Sequence, residues 1–121
     1  MGITEIILSN EAFNDGCTIY LYRNNDYWCA YEISAFLLYH LGGGIAVDKH
    51  VFTEYQVRMP MVTITDEELQ KVLQYAHIRE KLLDYEIIHC RRDAVEFSNE
   101  LYASWAYERL STDKGSVSIV P

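Results

Sequence analysis

Proline and glycine are scarce in this chain, two and six among 121 residues. Pro/Ser-rich linkers, low-complexity tracts and internal repeats are missing, so nothing in the composition marks a domain boundary. With 50% hydrophobic residues the chain is too apolar for disorder. A length of 121 residues fits one globular domain, 1–121, because two domains of half that size would each need metals or disulfides. Cysteine is scarce as well. Cys17, Cys29 and Cys90 are odd in number and widely spaced, which provides neither a disulfide framework nor a Cys-x-x-Cys metal or redox site. Basic residues are few: 10 against 18 acids, for a formal net charge of −8. Residues 1–60 and 61–121 share the deficit evenly, so no basic half is hidden in the average. Free-standing duplex binders carry a basic footprint, because neutralising phosphates supplies most of their affinity. The composition therefore leaves a neutral groove, an acidic partner surface, or a domain that relies on something else for affinity. The longest apolar run, Tyr27 to Leu41, is interrupted by Glu32 and falls short of the ~20 residues of a membrane span. Met1-Gly2-Ile3-Thr4-Glu5 lacks the basic region of a signal peptide, and Gly2 lacks the Ser or Thr at position 6 that myristoylation requires. A cytoplasmic location without membrane association is expected.

Periodicity supplies the elements. Ile3–Leu8 is a β-like run. Asn14-Asp15-Gly16 is a turn signal, and Cys17–Tyr22, rich in β-branched and aromatic residues, predicts a strand. Asn24-Asn25-Asp26 reads as the cap of a helix from about Tyr27 to Leu41, stopped by Gly42-Gly43-Gly44. One face of that helix would carry Tyr27, Ala30, Tyr31, Ser34, Leu37, Leu38 and Leu41, and the other Cys29, Ile33, Phe36 and His40. A helix apolar nearly all round is buried on two sides or covered by a partner. A third strand is expected around Phe52–Arg58, with Pro60 marking its end or an edge. Thr65-Asp66-Glu67-Glu68 fits a capping box, opening a helix that runs to about Leu83. Tyr85–Cys90 reads as a strand, Asp93 as the cap of a last helix to about Leu110, and 116–120 as a possible final strand. The order β-β-α-β-α-β-α-(β) predicts an α/β, or α+β-like, fold: a mixed β-sheet with about three helices packed on it.

No catalytic motif stands out. The three glycines follow a helix, whereas phosphate-cradling glycines follow a strand and open a helix. His40 and His50 flank the glycines, but zinc would need further ligands from other elements, such as Cys29 or Cys90, so no metal or cofactor is expected. Asp66, Glu67 and Glu68 are explained by a capped helix start, and Glu96 with Glu100 by a solvated helix face. What is plentiful is tyrosine, ten residues of it. Its apolar ring and polar tip suit interfaces. Stacking platforms for bases normally also have a basic groove, and Arg91-Arg92 is the only basic pair in the chain.

An apolar strand runs into Arg23-Asn24-Asn25-Asp26-Tyr27-Trp28. Pro60-Met61-Val62-Thr63-Ile64-Thr65 precedes a helix containing Val72-Leu73, and Asp84-Tyr85-Glu86-Ile87-Ile88-His89-Cys90-Arg91-Arg92 follows it. In order and spacing this resembles the N-terminal mismatch-recognition domain (domain I) of the MutS family of DNA mismatch repair proteins. There an apolar strand leads into Gly-Asp-Phe-Tyr-Glu, followed by Pro-Met-Ala-Gly-Val-Pro and Gly-Tyr-Lys-Val-Ala-Ile-Cys-Glu-Gln. The similarity covers about 17–92, with the helix 93–110 and a short tail beyond it. It implies the family's α/β fold and a link to DNA. Asp26 matches the motif, Tyr27 stands where the family has the Phe that stacks on a mispaired base, and Cys29 replaces the Glu that hydrogen-bonds that base. Glu32 lies three residues past that position. The family's glycines at these places are missing. On this resemblance Tyr27 would be a wedge flanked by Asp26 and Trp28, Arg23 a nearby phosphate contact, and Arg91 and Arg92 a secondary one.

The expected function is a non-enzymatic binding or accessory domain, DNA-related, with mismatch recognition lost or altered. One alternative is a Tyr-rich protein-interaction module forming a homo- or hetero-oligomer, with Ile33, Phe36 and Tyr39 as its contact face. Another is an acidic mimic of DNA. An enzyme would require a pocket gathering His40, His50 and Cys29.

Overall fold

A computed structural model describes residues 2–42 and 45–111. The elements are α1 (Ile3–Ala12), β1 (Thr18–Asn24), β2 (Tyr27–Tyr31), α2 (Glu32–Gly42), β3 (Val47–Phe52), β4 (Val57–Thr65), α3 (Asp66–Leu73), β5 (Ala76–Lys81), β6 (Tyr85–Cys90) and α4 (Asn99–Ser111). Six strands form one sheet in the order β3-β4-β2-β1-β6-β5. All its pairings are antiparallel. With four helices against it, the fold is α+β. No helix among the described residues is long and apolar enough to cross a membrane.

Several local expectations change. Ile3–Leu8 is the start of a helix: Ile3, Ile6 and Ile7 recur at helical spacing, and the Glu5 carboxylate accepts from the Gly2 amide at 2.7 Å to close the first turn. Asn24-Asn25-Asp26 is a hairpin turn, because Asn24 pairs with Tyr27 across it and Asn25 takes a left-handed φ of 56°. The aromatic run Tyr27–Tyr31 then extends as β2, and the helix begins only at Glu32. Pro60 sits inside β4, opposite Lys49 of β3. It is tolerated because the β2 ladder on the other side begins one residue later, at Met61 opposite Tyr31. The capping box forms as expected, with Thr65 Oγ1 accepting from the Glu68 amide at 3.1 Å. The helix it opens ends at Leu73, and β5 takes the residues read as its second half. Ser98, rather than Asp93, caps the last helix, its hydroxyl accepting from the Leu101 amide at 3.0 Å. The expected strand 116–120 lies outside the described residues.

The sheet has two unlike faces. One packs Ile19, Leu21, Trp28, Ala30, Val62, Ile64 and Ile88 against α2, α3 and α4. The other carries Tyr22, Cys29, Tyr31, Phe52 and Met59, with Ile7 of α1 set against them. Phe97, on the segment leading into α4, lies against Gly16 in the turn ahead of β1. That glycine has φ +84°, and a Cβ on it would overlap the Phe97 ring.

Candidate functional site

The β1–β2 hairpin places the residues singled out above at one end of the sheet. Alternation splits them. Tyr27 lies opposite Asn24 and Thr65 on the α1 face and is 49% exposed. Trp28 turns to the helix-covered face and is buried. Its Nε1–H donates to Asp66 Oδ1 at 2.8 Å. Arg23, the cross-strand partner of Trp28, lays its guanidinium 4.8 Å from the indole centroid and donates from Nη1 to Asp66 Oδ1 at 2.8 Å. A second bond, from Nη2 to Oδ2 at 3.4 Å, makes the pair two-pronged. The bonds from Arg23 and then Trp28 hold the Asp66 carboxyl below its ordinary range. Arg23 is thus engaged by an acid 43 positions along the chain, and a phosphate would have to compete with that carboxylate. Asp26 is exposed in the turn itself.

The other expected contacts do not assemble here. Cys29 is buried on the α1 face, its Sγ 3.7 Å from Thr63 Oγ1. Glu32 lies past the far end of β2, and five extended residues from Tyr27 amount to about 16 Å. Arg91 and Arg92 are exposed but follow Cys90, the end of β6 remote from the hairpin, and Arg91 donates to the Gln74 carbonyl at 3.1 Å. They form no joint surface with Tyr27.

The second face of α2 is covered by the chain itself. Phe36 is buried, with edge contacts to Trp105 at 5.4 Å, Phe97 at 5.9 Å and Tyr102 at 6.0 Å. Tyr39 packs on Trp105 at 5.6 Å and accepts from Arg109 Nη2 at 3.0 Å. Ile33 is half-buried against the same core. Phe36 is therefore an internal contact rather than an intermolecular one, because α4 occupies the face that sequence alone left open. A groove of about 660 Å³ remains between α2 and α4, bordered by Tyr39, His40, Leu101, Trp105 and Arg109. Burial, followed by the nearby Arg109 charge, pushes the His40 pKa down. His50 lies elsewhere, against Tyr31 and Phe52 on the α1 face. His40, His50 and Cys29 thus share no pocket, and no three His, Cys, Asp or Glu side chains among the described residues are placed to hold a metal.

Two features were not legible in the sequence. The β5–β6 loop lies beside the β1–β2 turn, since Tyr22 pairs with Tyr85. Leu82 and Leu83 stand there 47% and 98% exposed. Together with Arg23, Trp28 and Asp84 they border a cavity of about 150 Å³. At the opposite end of the sheet, Glu11 is buried. It accepts from the Ser34 hydroxyl at 2.5 Å and the Ser34 amide at 3.0 Å, capping the first turn of α2. Burial pushes its pKa up to about 7 against the bonds from Ser34, and Glu32 adds to the rise. An acidic residue between a run read as β and a turn carried no such signal.

No protein-family model, curated protein or solved structure gives a significant match to the chain.

Proposed function

We propose that this chain is a non-enzymatic binding module on the plan of the MutS recognition domain, with the hairpin tip kept as its contact element and mismatch reading lost. The observation that carries this is the split of the tip. Tyr27 remains half-exposed on a tight turn, while Trp28 and Arg23 are locked to Asp66 and Cys29 is buried. An aromatic residue on a short paired hairpin has its backbone fixed before any partner arrives, which lowers the ordering cost of binding. The side chain that would hydrogen-bond a mispaired base is missing, and the arginines that would grip phosphate are paired or remote.

Titration of labelled mismatched and matched duplexes at low salt tests it. The expected result is no discrimination between them. A mismatch preference of about tenfold or more, lost in Tyr27→Ala, would restore mismatch recognition and refute the proposal. For the oligomer alternative, α4 covers Phe36, one of its three expected contact residues, while Ile33 and Tyr39 stay half-buried.

A further inference from the structure

Leu82 and Leu83 stand exposed side by side on the β5–β6 loop, and Tyr27 is half-exposed at the same end of the sheet, on the neighbouring hairpin and its α1 face. The β5–β6 loop is tight, with the Leu82 amide donating to the Tyr85 carbonyl at 2.9 Å, so the backbone that carries Leu83 outward is pinned. A cluster of exposed apolar side chains set in a polar rim marks a contact surface, whereas a single exposed leucine would not. The rim here is acidic. Asp26, Asp66, Glu67 and Asp84 are all exposed around it, and Glu86 lies just behind. Among the described cations of the same end, Arg23 is paired with Asp66 and Arg79 with Glu86, which leaves Lys81.

We propose that the two hairpin tips form a docking surface for a basic protein surface with an apolar recess. Leu83 enters the recess, Tyr27 packs at its edge, and Asp26, Glu67 and Asp84 meet lysine or arginine on the partner. The proposal rests on the hairpin tip being the contact element, as argued above. Like-charge repulsion disfavours both nucleic acid phosphates and an anionic bilayer at this end, while opposite charge steers a basic polypeptide toward it.

The test is selection of a displayed random-peptide library on the full chain, followed by binding of the enriched peptides to variants. Enriched peptides should carry lysine or arginine on both sides of an aliphatic or aromatic residue. Leu83→Ser, and the double variant Asp26→Lys with Asp84→Lys, should each weaken them by about tenfold, and added salt should weaken them further. Leu83 is so exposed that its substitution leaves the fold intact. Failure to enrich peptides, absence of a basic bias, or indifference to Leu83→Ser overturns the proposal. If Tyr27→Ala still weakens those peptides, the tip survives as the contact element and only the partner chemistry is wrong. If no tip substitution matters, both fall. Duplex DNA and phosphatidylserine vesicles are measured on the same variants, and binding of either that Leu83→Ser abolishes likewise overturns it.

Discussion

The two faces of the sheet are covered by different chemistry. Under α2, α3 and α4 lie aliphatic side chains with almost no solvent contact, among them Ile19, Leu21, Val62, Ile64, Ile88 and Leu38. Opposite, where α1 packs, rings follow one another across the strands. Tyr20 lies 6.1 Å from Tyr85, Tyr85 5.6 Å from Tyr22, Tyr22 5.8 Å from Tyr31, and Tyr31 5.6 Å from Phe52. These rings have hydroxyls to satisfy, and Asn10 of α1 donates to the Tyr22 hydroxyl at 3.0 Å. Burial raises the pKa of both Tyr22 and Tyr31, keeping them neutral. The aliphatic centre of the first face holds by buried area, and its directional bonds, such as Trp28 to Asp66 and Arg109 to Tyr39, lie at its margins. The second orients one short helix through specific polar bonds, and is the face on which protons matter.

The division can be broken by measurement. Leu38→Ala on the aliphatic face should cost about 4 kcal/mol of unfolding free energy, seen as a lower urea midpoint. The largest effect at the α1 end is one of pH. Folding raises the Glu11 pKa from 4.5 to about 7, so the folded chain holds that proton more tightly than the unfolded one. Its contribution is complete below pH 4.5, falls as pH rises toward 7 and is gone above it. The loss is about 3 kcal/mol, and Glu11→Gln should flatten the difference between urea curves at pH 5 and pH 8. An unchanged difference would place the pH dependence elsewhere. Gly16→Ala, which drives a methyl into Phe97 and forces a positive φ on alanine, should cost about 2 kcal/mol in thermal or urea unfolding. Tyr22→Phe, losing one hydrogen bond, should cost about 1 kcal/mol. If it costs as much as Leu38→Ala, the contrast between the faces fails.

Sequence patterns located those elements whose signals are local. The Thr65 to Glu68 box, the β-branched run of β1 and the strand Tyr85–Cys90 each state their conformation within a few residues. Where neighbours decide, periodicity misleads. Tyr27–Tyr31 extends because Thr65–Met61 lies alongside to pair with it, and Ile3–Leu8 turns into a helix that sets Ile6, Ile7 and Leu8 against the tyrosine face. At the tip, Tyr27 was legible as a ring beside a polar turn. The burial of Trp28 follows from strand alternation, which is invisible once the segment is taken for a helix. Asp66 as the partner of Arg23, and Leu83 as a neighbour of the turn, depend on strand order that no local pattern contains.

The strand order also bears on how the chain reaches this state. β1 to β4 pair among themselves within Thr18–Thr65, while the β1–β6 ladder joins Thr18 to His89. That last pairing closes the longest loop of the sheet and carries the largest loop-closure entropy. Until the β5–β6 hairpin arrives, β1 is an open edge of aromatic and β-branched residues, Thr18-Ile19-Tyr20-Leu21-Tyr22, with unpaired amides and carbonyls. An unpaired strand edge of this kind is a template for pairing with another chain. The seam between β1 and β6 is therefore where the sheet depends most on a contact distant in sequence.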